Sequence, residues 1–149
     1  MARINYQDYV LQYGEPTKKG ARSGIYPCFY CGVPCETIDH FIPQSYVEIL
    51  KKMYLSDENE RKDTRTKVLL SQKLIPACKD CNSRASDGVF DTPDEKKSFV
   101  KAKLIKRYER ELLLPDWGKE EIKELNYELQ ESVKWAKSNQ KIIQERIKW

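Results

Sequence analysis

Two Cys-x-x-Cys pairs, Cys28–Cys31 and Cys78–Cys81, constrain this chain more than any other feature. They account for four of its five cysteines. Each pair can present two thiolates from one side of a tight turn, and two such turns complete a tetrahedral shell with Zn–S distances of about 2.3 Å. A shell of four cysteines leaves no open coordination position, so the Zn2+ expected there is structural. It would tie together segments that lie far apart in sequence. The alternatives are a redox dithiol and a chain without metal; a thioredoxin-like dithiol needs one pair on a βαβ pattern, which is lacking. Cys35 is left over, and a small buried role is expected for it.

A chain of 149 residues fits one domain, 1–149, with a modest core. No apolar run approaches the roughly 20 residues that span a bilayer, and the N-terminus has no signal-peptide pattern. The expectation is a soluble, cytoplasmic protein without a membrane partner. A net charge of +4 permits nucleic-acid binding without demanding it, so any such contact must come from a local patch.

The periodicities predict an α+β chain. Tyr6, Tyr9, Val10 and Tyr13 recur at helical spacing and stop at Gly14. Residues 17–24 carry two glycines and three basic side chains, which predicts a basic loop. Residues 37–42 predict a short strand stopped by Pro43, residues 45–55 a helix, residues 56–66 an exposed polar loop, and residues 73–77 a second strand. Pro76 limits that strand to an edge or an end. Thr92, Pro93, Asp94 and Glu95 form a helix start. Its apolar stripe is Phe99, Ala102, Ile105, Tyr108 and Leu112. Pro115 and Gly118 then precede a last helix over residues 119–148, with a stripe of Ile122, Leu125, Leu129, Val133, Ala136, Ile143 and Ile147.

Asp39 and His40 lie between the two cysteine pairs, and Asn82 directly follows the second pair. A lone histidine is more often structural than catalytic. Here it follows an aspartate, and a zinc staple would draw Asn82 towards it. Asp39 offers a hard anionic oxygen and Asn82 a neutral one, which suits a partly hydrated Mg2+ or Mn2+. A neutral imidazole with an ordinary pKa of about 6.5 can take a proton from water near neutrality. The set has the chemistry for phosphodiester cleavage.

At these residues the sequence resembles the HNH endonuclease family, in its zinc-stapled branch of small phage and bacterial enzymes. The matching pieces are Cys28-x2-Cys31-Gly32, then Ile38-Asp39-His40-Phe41-Ile42-Pro43, then Leu74-Ile75-Pro76-Ala77-Cys78-x2-Cys81-Asn82. Asp39 to Ser45 also resembles the corresponding motif of the HNH domains in RNA-guided CRISPR nucleases. The resemblance covers about residues 25–90. It implies a ββα-metal core, with the helical part of about 92–149 as an extension of two helices. It implies that His40 activates water, that Asp39 and Asn82 hold a divalent cation, and that DNA is cut to leave 5′-phosphate and 3′-hydroxyl ends. It departs from the family at Lys73, which stands where an asparagine usually braces the loop carrying the base.

For DNA contacts the candidates are Lys79 and Arg84, flanking Asn82, and Lys18, Lys19 and Arg22 in the basic loop, where a solvated surface is an equal reading. The terminal helices are candidates for a protein partner or homodimer seam. The alternative to an endonuclease is a non-catalytic, zinc-stabilised nucleic-acid-binding module or a DNA-packaging accessory protein.

Overall fold

A computed structural model describes residues 4–53, 72–85 and 88–149. Helix α1, Tyr6–Tyr13, opens on Asn5, whose side chain accepts from the Asp8 N–H at 2.8 Å, and ends at Gly14 with φ 83°. Asn caps satisfy an otherwise orphaned donor of the first turn, and glycine tolerates the positive φ that ends the helix. Residues 18–22 depart from the expected loop and form a short helix, α2, Lys18–Arg22. Thr17 caps it by accepting from Gly20 N at 3.1 Å, and Gly20 and Ala21 turn inward. A capping threonine and small inward residues are enough for one helical turn that glycine alone would discourage.

Strand β1, Thr37–His40, pairs antiparallel with β2, Leu74–Ala77, matching Thr37 to Ala77, Ile38 to Pro76, Asp39 to Ile75 and His40 to Leu74. Each strand is an edge of this two-stranded sheet, so Pro76, which cannot donate, is tolerated. Its carbonyl instead accepts from Phe29 N at 2.9 Å, binding the first cysteine turn to β2. Helix α3, Gln44–Met53, follows β1, and helix α4, Lys79–Ala85, follows β2. The polar loop expected over 56–66 and the end of the helix expected to reach residue 55 lie outside the described residues.

The C-terminal part holds four helical segments where two were expected. Helix α5, Pro93–Arg107, starts at the Thr92 cap, whose side chain accepts from Glu95 N at 3.2 Å. It breaks at Tyr108 (φ −104°, ψ 18°) before a single turn, α6, Glu109–Leu112. Beyond it lie α7, Lys119–Lys123, and α8, Tyr127–Lys148, whose 22 residues are capped by Asn126. The Asn126 side chain accepts from Leu129 N at 3.0 Å, so it starts a new helix instead of continuing the old one. Among the described residues no helix is long and apolar enough to cross a membrane.

The core gathers Tyr9, Phe29, Tyr30, Phe41, Ile75, Val100 and Leu104 around the four cysteines. Tyr6 and Tyr9 meet the Phe29 ring edge-on at centroid distances of 5.5 and 5.4 Å, seating α1 on the first cysteine turn. The inward face of α5 differs from the expected stripe. Ala102 and Ile105 face solvent, whereas Lys96, Lys97, Val100, Lys101 and Leu104 are buried. The three ammonium groups end on oxygens: Lys96 on Asp39 and the His40 carbonyl, Lys97 on the Ile4 carbonyl, Lys101 on the Ile147 carbonyl. Lysine stems pack as apolar chains when the charged head finds such partners. Along α8 the expected stripe holds in part: Ile143 is buried, while Leu129 is half exposed.

Candidate metal centre and the residues beside it

Cys28, Cys31, Cys78 and Cys81 are all buried, and their sulfurs lie within 4.8 Å of one another. Cys31 and Cys78 are 3.7 Å apart at Sγ. A tetrahedron with Zn–S bonds of about 2.3 Å has S···S edges of about 3.8 Å, whereas a disulfide needs about 2.05 Å. All five cysteines are free thiols, so the spacing fits a shared ion and excludes a bridge. Among the described residues this is the cluster of three or more Cys, His, Asp or Glu side chains able to hold a metal. Hydrogen bonds from Cys28 pull Cys31 well down and Cys78 down to about 6, while burial pushes Cys28 up. Metal binding to such a cluster takes the thiolate form and releases the protons. Cys35 lies apart and donates to the Ala21 carbonyl at 3.0 Å, the small buried role expected of it.

The end of α8 closes over this cluster. The Arg146 guanidinium is 2.8 Å from Asp80 Oδ2 and 3.9 Å from both Cys78 and Cys81 Sγ. Its Nε is buried without a hydrogen-bond partner among the described residues, and its Nη2 faces sulfurs that carry two negative charges in excess when they hold a divalent ion. Trp149 donates to the Phe29 carbonyl at 3.1 Å and lies over Gly32. No local pattern marks this clamp, because Arg146 and Cys78 are 68 residues apart.

Asp39 is buried, and β1's pleat puts it on the same side as Thr37. Its Oδ2 accepts from the Tyr30 hydroxyl and lies 2.8 Å from the Lys96 ammonium. Among the described residues Oδ1 has no hydrogen-bond partner, and the side chain as a whole is 10% exposed. Asn82, on α4, donates from Nδ2 to Thr37 Oγ1 at 3.0 Å and to the Ile38 carbonyl at 3.5 Å. A carbonyl accepts only from the NH2 end, so Asn82 Oδ1 is left as an available acceptor. Carboxylate and amide oxygens are of the hard type that divalent cations such as Mg2+ prefer. His40 is half buried, with Nε2 3.4 Å from Gln44 Nε2. Burial lowers its pKa below the usual 6.5; the charges of Lys18 and Lys96 push the same way, and Asp39 opposes them.

The charge of Lys18, exposed on α2, thus reaches His40. Lys19 and Arg22 are exposed on the same short helix. Lys79 is exposed and pairs loosely with Glu36 at 3.9 Å, while Arg84 is engaged by Asp80 at 2.9 Å. Lys73 offers its carbonyl to Phe41 N at 2.9 Å and its ammonium to the Tyr6 ring. The side chain that grips the turn after His40 is its neighbour Gln72, which accepts from Ile42 N and donates to the Ile42 carbonyl. Tyr30, Gln72 and Lys96 were missed from sequence. Tyr30 stood in view inside the first cysteine pair and Gln72 one residue from the expected brace, but nothing marked Lys96.

The chain matches no protein-family model, no curated protein and no solved structure.

Proposed function

We propose that this protein is a metal-dependent DNA endonuclease of the HNH type, built on a ββα-metal core whose cysteine cluster holds a structural Zn2+. The observation that carries the reading is Asn82 seated on Thr37 Oγ1 at 3.0 Å, which joins α4 to the strand bearing Asp39 and His40. The order β1, β2, α4 with one cysteine pair before it and one across its last junction supports the same reading. Asp39 Oδ1 and Asn82 Oδ1 would hold Mg2+ or Mn2+, which when bound offsets charge on the phosphate and the leaving oxygen. His40, kept neutral near pH 7 by its lowered pKa, takes a proton from the attacking water. Lys18, whose charge reaches His40, offers a cation to the phosphate backbone, with Lys19 and Arg22 extending the patch. The products carry 5′-phosphate and 3′-hydroxyl ends, and the setting is the cytoplasm of a bacterial or phage-infected cell.

A second reading has its own observation. Asp39 already has a buried cationic partner in Lys96, as expected if the pair is structural and the protein a zinc-stabilised nucleic-acid-binding or packaging accessory. The exposed Tyr127, Leu129, Trp135 and Ile142 of α8 would then serve a partner or a second copy. Supercoiled plasmid incubated with Mg2+ or Mn2+ separates the two. The endonuclease nicks it and a His40→Ala variant does not; equal nicking by both, or none by either, refutes the assignment.

A further inference from the structure

We propose that the divalent cation and the DNA phosphodiester enter this site together, because Lys96 already neutralises Asp39. The inference rests on the nuclease reading and concerns how its site is loaded.

The Lys96 side chain is 0% exposed, with Nζ 2.8 Å from Asp39 Oδ2 and 3.1 Å from the His40 carbonyl. It therefore cannot reach a substrate. It cannot swing away either, since that would leave a buried charge unpaired on each side. Its position between α5 and the end of β1 is part of the core. Among the described residues Asp80 is held by Arg84 and Arg146, and Glu36 is exposed to solvent with Lys79 loosely beside it. Asn82 is neutral. Among the described residues, the Asp39–Asn82 side of the site thus offers a divalent cation two oxygens and, with Lys96 paired to Asp39, no net negative charge.

Affinity for hard cations follows the number and charge of the oxygen ligands. A site of this kind binds Mg2+ or Mn2+ on the order of a millimolar or weaker by itself. A phosphodiester supplies both the missing charge and a further oxygen. Coupling between two ligands is reciprocal, so the cation must tighten DNA by the same factor that DNA tightens the cation. Such coupling typically amounts to roughly 5–150-fold. Lys96 therefore keeps the resting site short of metal until DNA is present.

The test measures Mn2+ binding by the loss of the aqueous Mn2+ paramagnetic resonance signal. It uses zinc-loaded His40→Ala protein, which leaves DNA uncut, with and without a short duplex, and the duplex alone as the blank. DNA should tighten Mn2+ by at least about tenfold, and Mn2+ should tighten duplex binding equally. Asp39→Asn should abolish both effects. In the absence of DNA, Lys96→Gln should bind Mn2+ about tenfold more tightly than the parent. Zinc content and circular dichroism check that it is folded; if it is not, the parent arms decide alone. Micromolar Mn2+ binding without DNA that is lost in Asp39→Asn overturns the inference, as does an affinity that DNA leaves unchanged. Plasmid nicking by the wild type stands apart: nicking with DNA-independent metal binding sinks this inference alone, whereas no nicking and no DNA binding sinks the nuclease reading beneath it.

Discussion

The side-chain amide of Gln72 closes on both backbone polar groups of Ile42, donating to its carbonyl at 2.7 Å and accepting from its N–H at 2.8 Å. It acts as one more rung of the β1–β2 ladder, built from a side chain. Phe41 N, bonded to the Lys73 carbonyl at 2.9 Å, is the adjacent backbone rung. The turn that follows His40 is thereby fixed from one side by Gln72, while Lys96 fixes the His40 carbonyl from the other.

Gln72→Ala removes both bonds. Each is worth about 0.5–1.5 kcal/mol, so the folded state should lose about 1–3 kcal/mol in urea titration. Nicking should fall further than stability does, by tenfold or more, because a base displaced by about 1 Å costs on the order of 100-fold. A variant that loses stability and keeps its full nicking rate would show that the turn need not be held.

The cysteine cluster makes a prediction about composition. The purified chain should carry one zinc by elemental analysis, and a strong chelator should release it with loss of the cooperative unfolding transition, because metal binding to such sites is folding free energy. Cys78→Ser should behave as the chelated protein does. A Cys78→Ser protein with the parent's melting curve contradicts a structural ion.

How much of this was legible in sequence depends on how far each signal had to reach. The Gly14 stop, the Thr92 cap, the two cysteine turns and the two strands follow from residues within a few positions of one another, and each was placed within a residue or two. The inward face of α5 was misplaced because a lysine has no local mark that separates a solvated head from a buried one. Lys96, Lys97 and Lys101 find their oxygens 56, 93 and 46 residues away. Of the proposed site, His40, Asp39 and Asn82 are candidates from motif spacing, and the Lys96 and Tyr30 contacts that engage Asp39 Oδ2 are tertiary.

Gly32 has φ +78°, and a Cβ placed there would stand 2.6 Å from the Trp149 ring. Gly32→Ala therefore carries two separable costs. The left-handed backbone costs about 1–2 kcal/mol for a residue with a Cβ, and the clash adds to it. Combining it with Trp149→Ala should recover the clash and leave the backbone cost, a coupling visible in a double-mutant cycle. Additive losses would mean that the end of α8 does not lie over the first cysteine turn.

His40 gives the pH dependence. Its pKa is lowered first by burial and then by Lys18 and Lys96, against the pull of Asp39. A base must be unprotonated, so the nicking rate should be level through neutrality and fall about tenfold per pH unit only once below the imidazole's pKa, which lies under 6.5. The sign for Lys18 follows directly. Its positive charge disfavours the imidazolium, so Lys18→Ala favours protonation, raises the pKa, and moves the acid limb to higher pH. If Lys18 also holds phosphate, the same variant weakens DNA binding and flattens its salt dependence, by about one unit of slope for one lost contact. The two effects are read in different experiments, a pH–rate profile at saturating DNA and a binding titration over salt. A limb that stays in place on removing Lys18 would mean that its charge does not act on His40.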